Sequence, residues 1–168
     1  MLTKVYICKY ISKNPSSFGI SSHWGLLVAG KIFHIMVNHN DNDKVIYDSI
    51  EFNFNFERFH YSFVYIGRTQ YSLGIIGDTA QDLADKFVYD YKKSNCQDYI
   101  YKLGESIVKK LKFPLKSSDL FDPSFDCTTK VGSKISILCT NLTEQDIINE
   151  RNYYLQNKEK IFGFVSTK

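Results

Sequence analysis

Several signals are missing from this sequence of 168 residues, and each absence removes a class of function. The four cysteines form no Cys-x-x-Cys pair, which argues against a zinc knuckle and against a thioredoxin-type redox pair. Four cysteines in a chain of this length are also too few for a dense disulfide framework. The cysteines are Cys8, Cys96, Cys127 and Cys139. Each cysteine is therefore considered separately, as a free thiol.

Long apolar runs and strong charge are also missing. No segment approaches the roughly eighteen apolar residues of a membrane span, and the first residues alternate like a strand instead of forming a signal peptide. We therefore expect a cytoplasmic protein with no transmembrane anchor. The net charge is only +3, and lysines 109, 110, 112 and 116 suit the solvated end of a helix. Nucleic acid is not an expected partner.

The composition that remains is typical of one compact domain, with 43% hydrophobic and 15% aromatic residues. Period-two alternation predicts an antiparallel meander in the first seventy residues, and helical spacing of apolar residues follows it. The predicted strands are 3–11, 23–29, 31–37, 45–56 and 61–68, the predicted helices 78–91, 95–111 and 143–158, and shorter strands 135–139 and 161–165. The stretch 113–134 is predicted as loop. This order of elements predicts an α+β fold, an antiparallel sheet packed against a helix pair.

Cys96 is the strongest candidate for a reactive group. It follows Asn95, a residue type that caps helices, so it should lie in the first turn of the second predicted helix. The unpaired N–H groups at a helix start lower the pKa of a thiol and can hold an oxyanion. The alternative is that Cys96 is a small apolar residue on a buried stripe. Cys127 is an alternative nucleophile.

Two histidines could serve this thiol. His23 opens a strand, and alternation puts it on one face with Gly25 and Leu27, where a rigid strand would hold a base. His34 follows eleven residues later, across a predicted Ala29-Gly30 hairpin. It could orient the His23 ring through one ring nitrogen, as the third member of a catalytic triad does. The alternative for His34 is a hydrogen-bonded histidine of the core.

The other residues considered give weaker indications of function. A metal held by His23, His34 and Cys96 is chemically possible, but the usual zinc spacings are absent, and we predict no metal and no cofactor. We expect Trp24 and Tyr99 to be core residues. We expect His39 and His60 to be exposed in or beside loops.

The run His23-Trp24-Gly25-Leu26-Leu27-Val28, the later His34, and Asn95-Cys96-Gln97-Asp98-Tyr99 together resemble the circularly permuted papain-like superfamily. Its members include the lecithin:retinol acyltransferase family, the PPPDE-type deSUMOylating isopeptidases and bacterial cell-wall endopeptidases. The resemblance covers roughly residues 20 to 111. It implies a single permuted papain-like domain over residues 1–168, with a core of about 3–111 and a C-terminal extension of 112–168. It also implies that Cys96 is the nucleophile, His23 the base and His34 its orienting partner.

The function that this resemblance implies is a cysteine-dependent hydrolase or acyl-transfer enzyme acting on an amide, isopeptide or ester carbonyl. The acyltransferase branch has Asn-Cys-Glu-His-Phe and commonly a hydrophobic C-terminal anchor, whereas this sequence has Gln97-Asp98-Tyr99 and lacks that anchor. Both departures favour a peptide or protein substrate over a phospholipid ester. Two alternatives stay open, namely an inactive binding module on the same scaffold and a phospholipid-directed acyltransferase or phospholipase. The oligomeric state is not predicted.

Overall fold

The computed structural model describes residues 2–12, 22–38, 40–53, 59–90, 95–111, 128–131, 134–137 and 140–161. The predicted coarse class, α+β, is confirmed. Its main element is a five-stranded antiparallel sheet in the order β4-β3-β2-β1-β5. The strands are β1 (Thr3–Ser12), β2 (Ser22–Val28), β3 (Lys31–Asn38), β4 (Lys44–Glu51) and β5 (Phe59–Thr69).

The predicted meander is right for the first four strands and wrong for the fifth. β5 does not extend the sheet beyond β4 but pairs with β1 at the other side, with Ile7 opposite Val64. Both faces of β5 are apolar, since Val64 and Ile66 are buried on one side and Phe63 on the other. A strand of that kind is best placed where both of its faces are covered. Strand β4 also ends earlier than predicted, at Glu51.

The helices are α1 (Leu73–Lys86), α2 (Cys96–Ile107) and α3 (Glu144–Ile161). Helix α1 begins five residues before the predicted start at Asp78, because Ser72 is its N-cap and its hydroxyl accepts from the N–H of Ile75. It ends at Lys86 and leaves Val88 exposed, where the pattern predicted helix. Helix α2 begins as predicted but ends at Ile107 rather than at Leu111.

Helices α1 and α2 cover one face of the sheet. We call the apolar cluster between these helices and the sheet the helix-side core. Its sheet residues include Trp24, Leu26 and Val28 from β2, and its helix residues include Ile100 and Leu103. The alternate residues of the strands point to the other face and, together with Ile147 of α3, form the opposite-face core. Its strand residues are Tyr6, Cys8, Leu27, Ile32 and Phe63. The central strands are therefore buried on both faces, which explains why the consecutive residues Leu26, Leu27 and Val28 of β2 are all apolar.

Helix α3, in the part of the sequence outside the resemblance, packs onto both cores. Its Ile147 belongs to the opposite-face core, and its Tyr154 belongs to the helix-side core and accepts from the N–H of Leu73. Tyr6 of β1 donates to Glu150 at 2.6 Å. Thr143 and Asp146 form a capping box at the helix start. These contacts attach α3 to the sheet.

A separate ribbon of β6 (Thr128–Val131) and β7 (Lys134–Ile137) forms the second sheet. Residues 128–131 were predicted as loop, so strand β6 was not predicted. The bounds of strand β7 lie within two residues of the strand predicted at 135–139. The closing strand predicted at 161–165 is contradicted at Ile161, which is helical, and its other residues lie outside the described ranges. None of the helices that the structure describes is long and apolar enough to cross a membrane.

Gly67 is the position where the junction of β5 and α2 should be most sensitive to substitution. Its φ is +141°, and an added Cβ would lie 2.5 Å from Cγ1 of Val108 and 2.8 Å from the carbonyl oxygen of Lys110. We expect Gly67→Ala to lower the free energy of unfolding by about 3 kcal/mol, from overpacking and backbone strain. Urea denaturation measures the change.

Gly74→Ala is the matched control for Gly67→Ala. Gly74 is an exposed residue in the first turn of α1, and the nearest atom to an added Cβ is Oγ of Ser72 at 3.8 Å. Since alanine favours helix, this variant should be unchanged or about 0.5 kcal/mol more stable. Equal stabilities of the two variants would contradict the close approach at Gly67.

Candidate active site

The sheet opens between β2 and β3. Within the described residues of these two strands, pairing runs from Val28 and Lys31 only as far as Leu26 and Phe33. Beyond that point β2 continues to pair with β1 as far as Ser22, and β3 continues to pair with β4 as far as Asn38. The two halves of the sheet therefore separate at this end. The backbone groups that face the opening are available to something other than a neighbouring strand.

Cys96 lies at this opening, as the first residue of α2. Asn95 is the N-cap, and its side-chain oxygen accepts from the N–H groups of Gln97 at 3.0 Å and Asp98 at 3.3 Å. Asp98 completes a capping box by accepting from the N–H of Asn95 at 2.9 Å. The helix start is thus held firmly, and the predicted position of Cys96 in the first turn is confirmed.

The backbone N–H of Trp24 is directed at the sulfur of Cys96, and so are the N–H groups of Cys96 and Gln97. These three donors lower the pKa of the thiol, but burial raises it by more, and the nearby Asp98 carboxylate also raises it. The net pKa of Cys96 is raised above its ordinary value. A position at a helix N-terminus, taken alone, predicts the opposite direction, a lowered thiol pKa.

His23 and His34 meet across the opening. Nε2 of His23 lies 3.0 Å from Nδ1 of His34, and the rings are nearly perpendicular, at 83°. Because side chains alternate along a strand, His23 lies on the same face of the sheet as Leu27, and His34 lies on the same face as Ile32. Leu27 and Ile32 belong to the opposite-face core, so this is the face away from α1 and α2. The predicted contact between the two histidines is therefore present in the structure.

Both imidazoles are buried enough to favour the neutral form. Burial lowers the pKa of His23 to about 4, and the neighbouring His34 contributes to the same shift. Burial also lowers the pKa of His34, although the negative charge of Asp48 and its hydrogen bond act in the other direction. At neutral pH the opening thus holds a neutral thiol and two neutral imidazoles.

Asp48 is the residue that the sequence reasoning missed. It lies directly opposite His34 in the β3–β4 register, and its Oδ2 is 3.5 Å from Nε2 of His34. That distance is at the outer edge of hydrogen-bonding range. Alternation from the β3–β4 turn could have indicated the pair, but only if the length of that turn had been known, because a shift of one residue reverses the faces.

The structure describes some of the other residues that the sequence singles out. Trp24 and Tyr99 are core residues as predicted, and the Tyr99 hydroxyl donates to the carbonyl of Ala80 at 2.7 Å. Cys8 is fully buried in the opposite-face core, and burial raises the pKa of its thiol. Cys127, His39 and the side chain of His60 lie outside what the structure describes. Among the residues it does describe, no group of three or more His, Cys, Asp and Glu could hold a metal.

A groove of about 790 Å³ lies at the other end of α2 from Cys96. Arg68, Lys109 and Lys110 line it together with the apolar residues Leu2 and Leu111. Helix α2 has twelve residues and separates its two ends by about 18 Å. The groove is therefore not part of the opening that holds Cys96.

Comparisons with known proteins were made at the level of family, sequence and structure. No protein-family model matches the chain, and no curated protein or solved structure is significantly similar to it.

Protonation of the buried His23 ring should lower the stability of the protein in acid. The folded-state pKa of about 4 lies below the ordinary 6.5, so the unfolded chain gains this proton first as the pH falls. The stability due to the neutral ring is complete above about pH 6.5 and is lost progressively towards about pH 4, by at most about 3 kcal/mol. His34 should add a loss of the same sign.

Urea denaturation at several pH values between about 7 and 4 measures this effect. The free energy of unfolding should fall less steeply for His23→Gln than for the unsubstituted protein. Comparing the two at each pH removes the contribution of the carboxylates, which both proteins share. Equal slopes would show that the His23 ring is not buried in its neutral form.

Proposed function

We propose that this protein is a cysteine-dependent hydrolase or acyl-transfer enzyme in which Cys96 is the nucleophile, His23 the general base and His34 the residue that orients His23. The reaction is attack of the sulfur on an amide, isopeptide or ester carbonyl. We propose further that the domain is a permuted papain-like fold, because the strand that carries the base precedes the helix that carries the nucleophile. The residues of the resemblance support this assignment.

The observation that carries the proposal is the contact between Trp24 and Cys96. The N–H of Trp24 is directed at the sulfur, so the residue that directly follows His23 touches the thiol. The pairing of β2 with β3 ends at Leu26 and Phe33, and the proposal requires the His23 imidazole to reach the sulfur through the gap that this leaves in the sheet. The start of α2 and His34 thus contact adjacent residues of β2, Trp24 and His23, beyond the point where β2 pairs with β3.

The protonation states favour a general-base mechanism over a resting ion pair. With the pKa of Cys96 raised and that of His23 lowered, the thiol keeps its proton until a substrate arrives. The S–H bond then breaks as the sulfur attacks, and the proton moves to a ring nitrogen of His23. His23 returns that proton to the leaving amine or alcohol. Water, or another acceptor, then takes the acyl group from the sulfur.

The oxyanion formed in this reaction would be held at the start of α2. Asn95 already occupies the N–H groups of Gln97 and Asp98. The N–H of Cys96 itself is thus the amide of the first turn that the cap leaves for an oxyanion. Trp24 offers a second N–H, which points into the same opening.

A binding module without catalysis is the second candidate, and the raised pKa of Cys96 favours it. A buried neutral thiol without an effective base would behave as a small apolar residue. The sequence Gln97-Asp98-Tyr99 after the cysteine suits either candidate, since here it serves the capping box and the core. A phospholipid-directed acyltransferase would use the same Cys96, and acyl release from phosphatidylcholine vesicles distinguishes it from a peptidase.

Alkylation by iodoacetamide tests whether Cys96 is activated. We expect mass spectrometry to find the label on Cys96 in the unsubstituted protein and to lose it in Cys96→Ala. His23→Gln should slow labelling of Cys96 at least about tenfold at neutral pH, because the base that removes the proton is gone. Cys127→Ala is the matched control, and Cys96 in this variant should be labelled at the same rate as Cys96 in the unsubstituted protein.

Thermal unfolding of each variant shows whether it is folded. Equal labelling of the unsubstituted protein and Cys96→Ala would reject Cys96 as the nucleophile. A Cys96 that reacts at the same rate with and without His23 would leave the binding module as the better function.

A further inference from the structure

Three polar side chains form a continuous row across the opening. Asp48 Oδ2 lies 3.5 Å from Nε2 of His34, and Nδ1 of His34 lies 3.0 Å from Nε2 of His23. The row begins at a side chain that is 45% exposed and passes through His34, whose side chain is 9% exposed. The proton positions along such a row are not independent, because each ring nitrogen is either a donor or an acceptor.

The carboxylate decides the first of these positions. A carboxylate can only accept, so the nitrogen of His34 that faces Asp48 Oδ2 at 3.5 Å, Nε2, is the one that we expect to carry the proton. A neutral imidazole has one N–H, which makes Nδ1 of His34 an acceptor. Nδ1 then accepts from Nε2 of His23, and the proton of the His23 ring is held on that nitrogen. The other nitrogen of His23, Nδ1, keeps its lone pair.

We propose that Asp48 is a positioning residue that acts through His34 to hold the proton of His23 on Nε2, so that Nδ1 is the basic nitrogen of the site. This inference rests on the proposed function, since it names the nitrogen that would receive the proton of Cys96. The proton of this step passes from the sulfur to His23, and Asp48 acts only through His34. One bond breaks, S–H, and one forms, N–H at Nδ1 of His23.

The same row would stabilise the imidazolium that forms during the reaction. Once His23 carries two protons, its Nε2–H still donates to Nδ1 of His34, whose own Nε2–H faces the Asp48 carboxylate at 3.5 Å. Without Asp48, His34 can adopt the other tautomer and donate from Nδ1 to His23. That arrangement moves the proton of His23 to Nδ1 and removes the lone pair that the reaction needs.

Nitrogen-15 NMR of histidine-labelled protein at neutral pH tests the tautomers directly. The chain has four histidines, and a single substitution of each one assigns the signals. In the unsubstituted protein we expect both His23 and His34 to be protonated at Nε2. In Asp48→Asn, whose amide can both donate and accept, we expect a mixture of tautomers at both rings.

The labelling rate of Cys96 is the second measurement. Asp48→Asn should slow it roughly tenfold, by reducing the population of the active tautomer. Asp48→Glu should recover much of the rate, because it keeps an acceptor of the same charge. Asp41→Asn makes the same chemical change in the β3–β4 turn and should change neither measurement. Asp41 lies beyond the Asn38–Lys44 pair, which is itself four rungs or about 13 Å along the ladder from the His34–Asp48 pair.

The two measurements separate the two proposals. Protonation of His23 at Nδ1 in the unsubstituted protein, or identical tautomers in Asp48→Asn, overturns the role of Asp48 even if Cys96 remains reactive. If Cys96 instead proves unreactive or insensitive to His23, the proposed function fails, and the NMR result still decides whether Asp48 sets the tautomers. Mixed tautomers together with slower labelling in Asp48→Asn support both.

Discussion

The separation of β2 from β3 beyond Leu26 and Phe33 is the constraint on which the candidate site depends. If pairing continued, the backbone N–H groups of β2 that face β3 would be occupied by the neighbouring strand, and no helix terminus could approach them. Instead the N–H of Trp24 is directed at the sulfur of Cys96. Pairing with β1 on one side and with β4 on the other holds each half of the sheet in place beside the opening.

Burial and hydrogen bonding act against each other at this opening. Three backbone donors around the sulfur favour the thiolate, but the loss of solvent outweighs them, and the pKa of Cys96 is raised. The same loss of solvent lowers the pKa of His23 to about 4. A site of this kind is neutral at rest, and charge appears only when a proton is transferred. The row from Asp48 to His34 to His23 is suited to that situation, because it can stabilise a positive charge without holding one in advance.

Local sequence patterns predict most of the helices and strands but not the residues at which each begins and ends. The early start of α1 shows why. Gly74 and Gly77 lower the helix propensity of its first turns, so the sequence pattern is strong only after Asp78. In the structure, Ile76 is fully buried and the Tyr47 hydroxyl lies against Gly77, and this packing stabilises helix where propensity is weak. Similarly, the alternation in β5 predicts a strand but not the neighbour that it pairs with, since that choice depends on which edge of the sheet can cover both of its faces.

The sequence by itself determined the α+β class, the cap that puts Cys96 at a helix start, and the hairpin that brings His34 back to His23. Each of these depends on residues within a few positions of one another, whose backbone preferences and short-range hydrogen bonds act before the chain is packed. Only the tertiary structure decided that the sheet opens beside Trp24, that Asp48 joins the histidines, and that the thiol is neutral at rest. Those features depend on strand register and on burial, which arise from contacts between residues far apart in the chain.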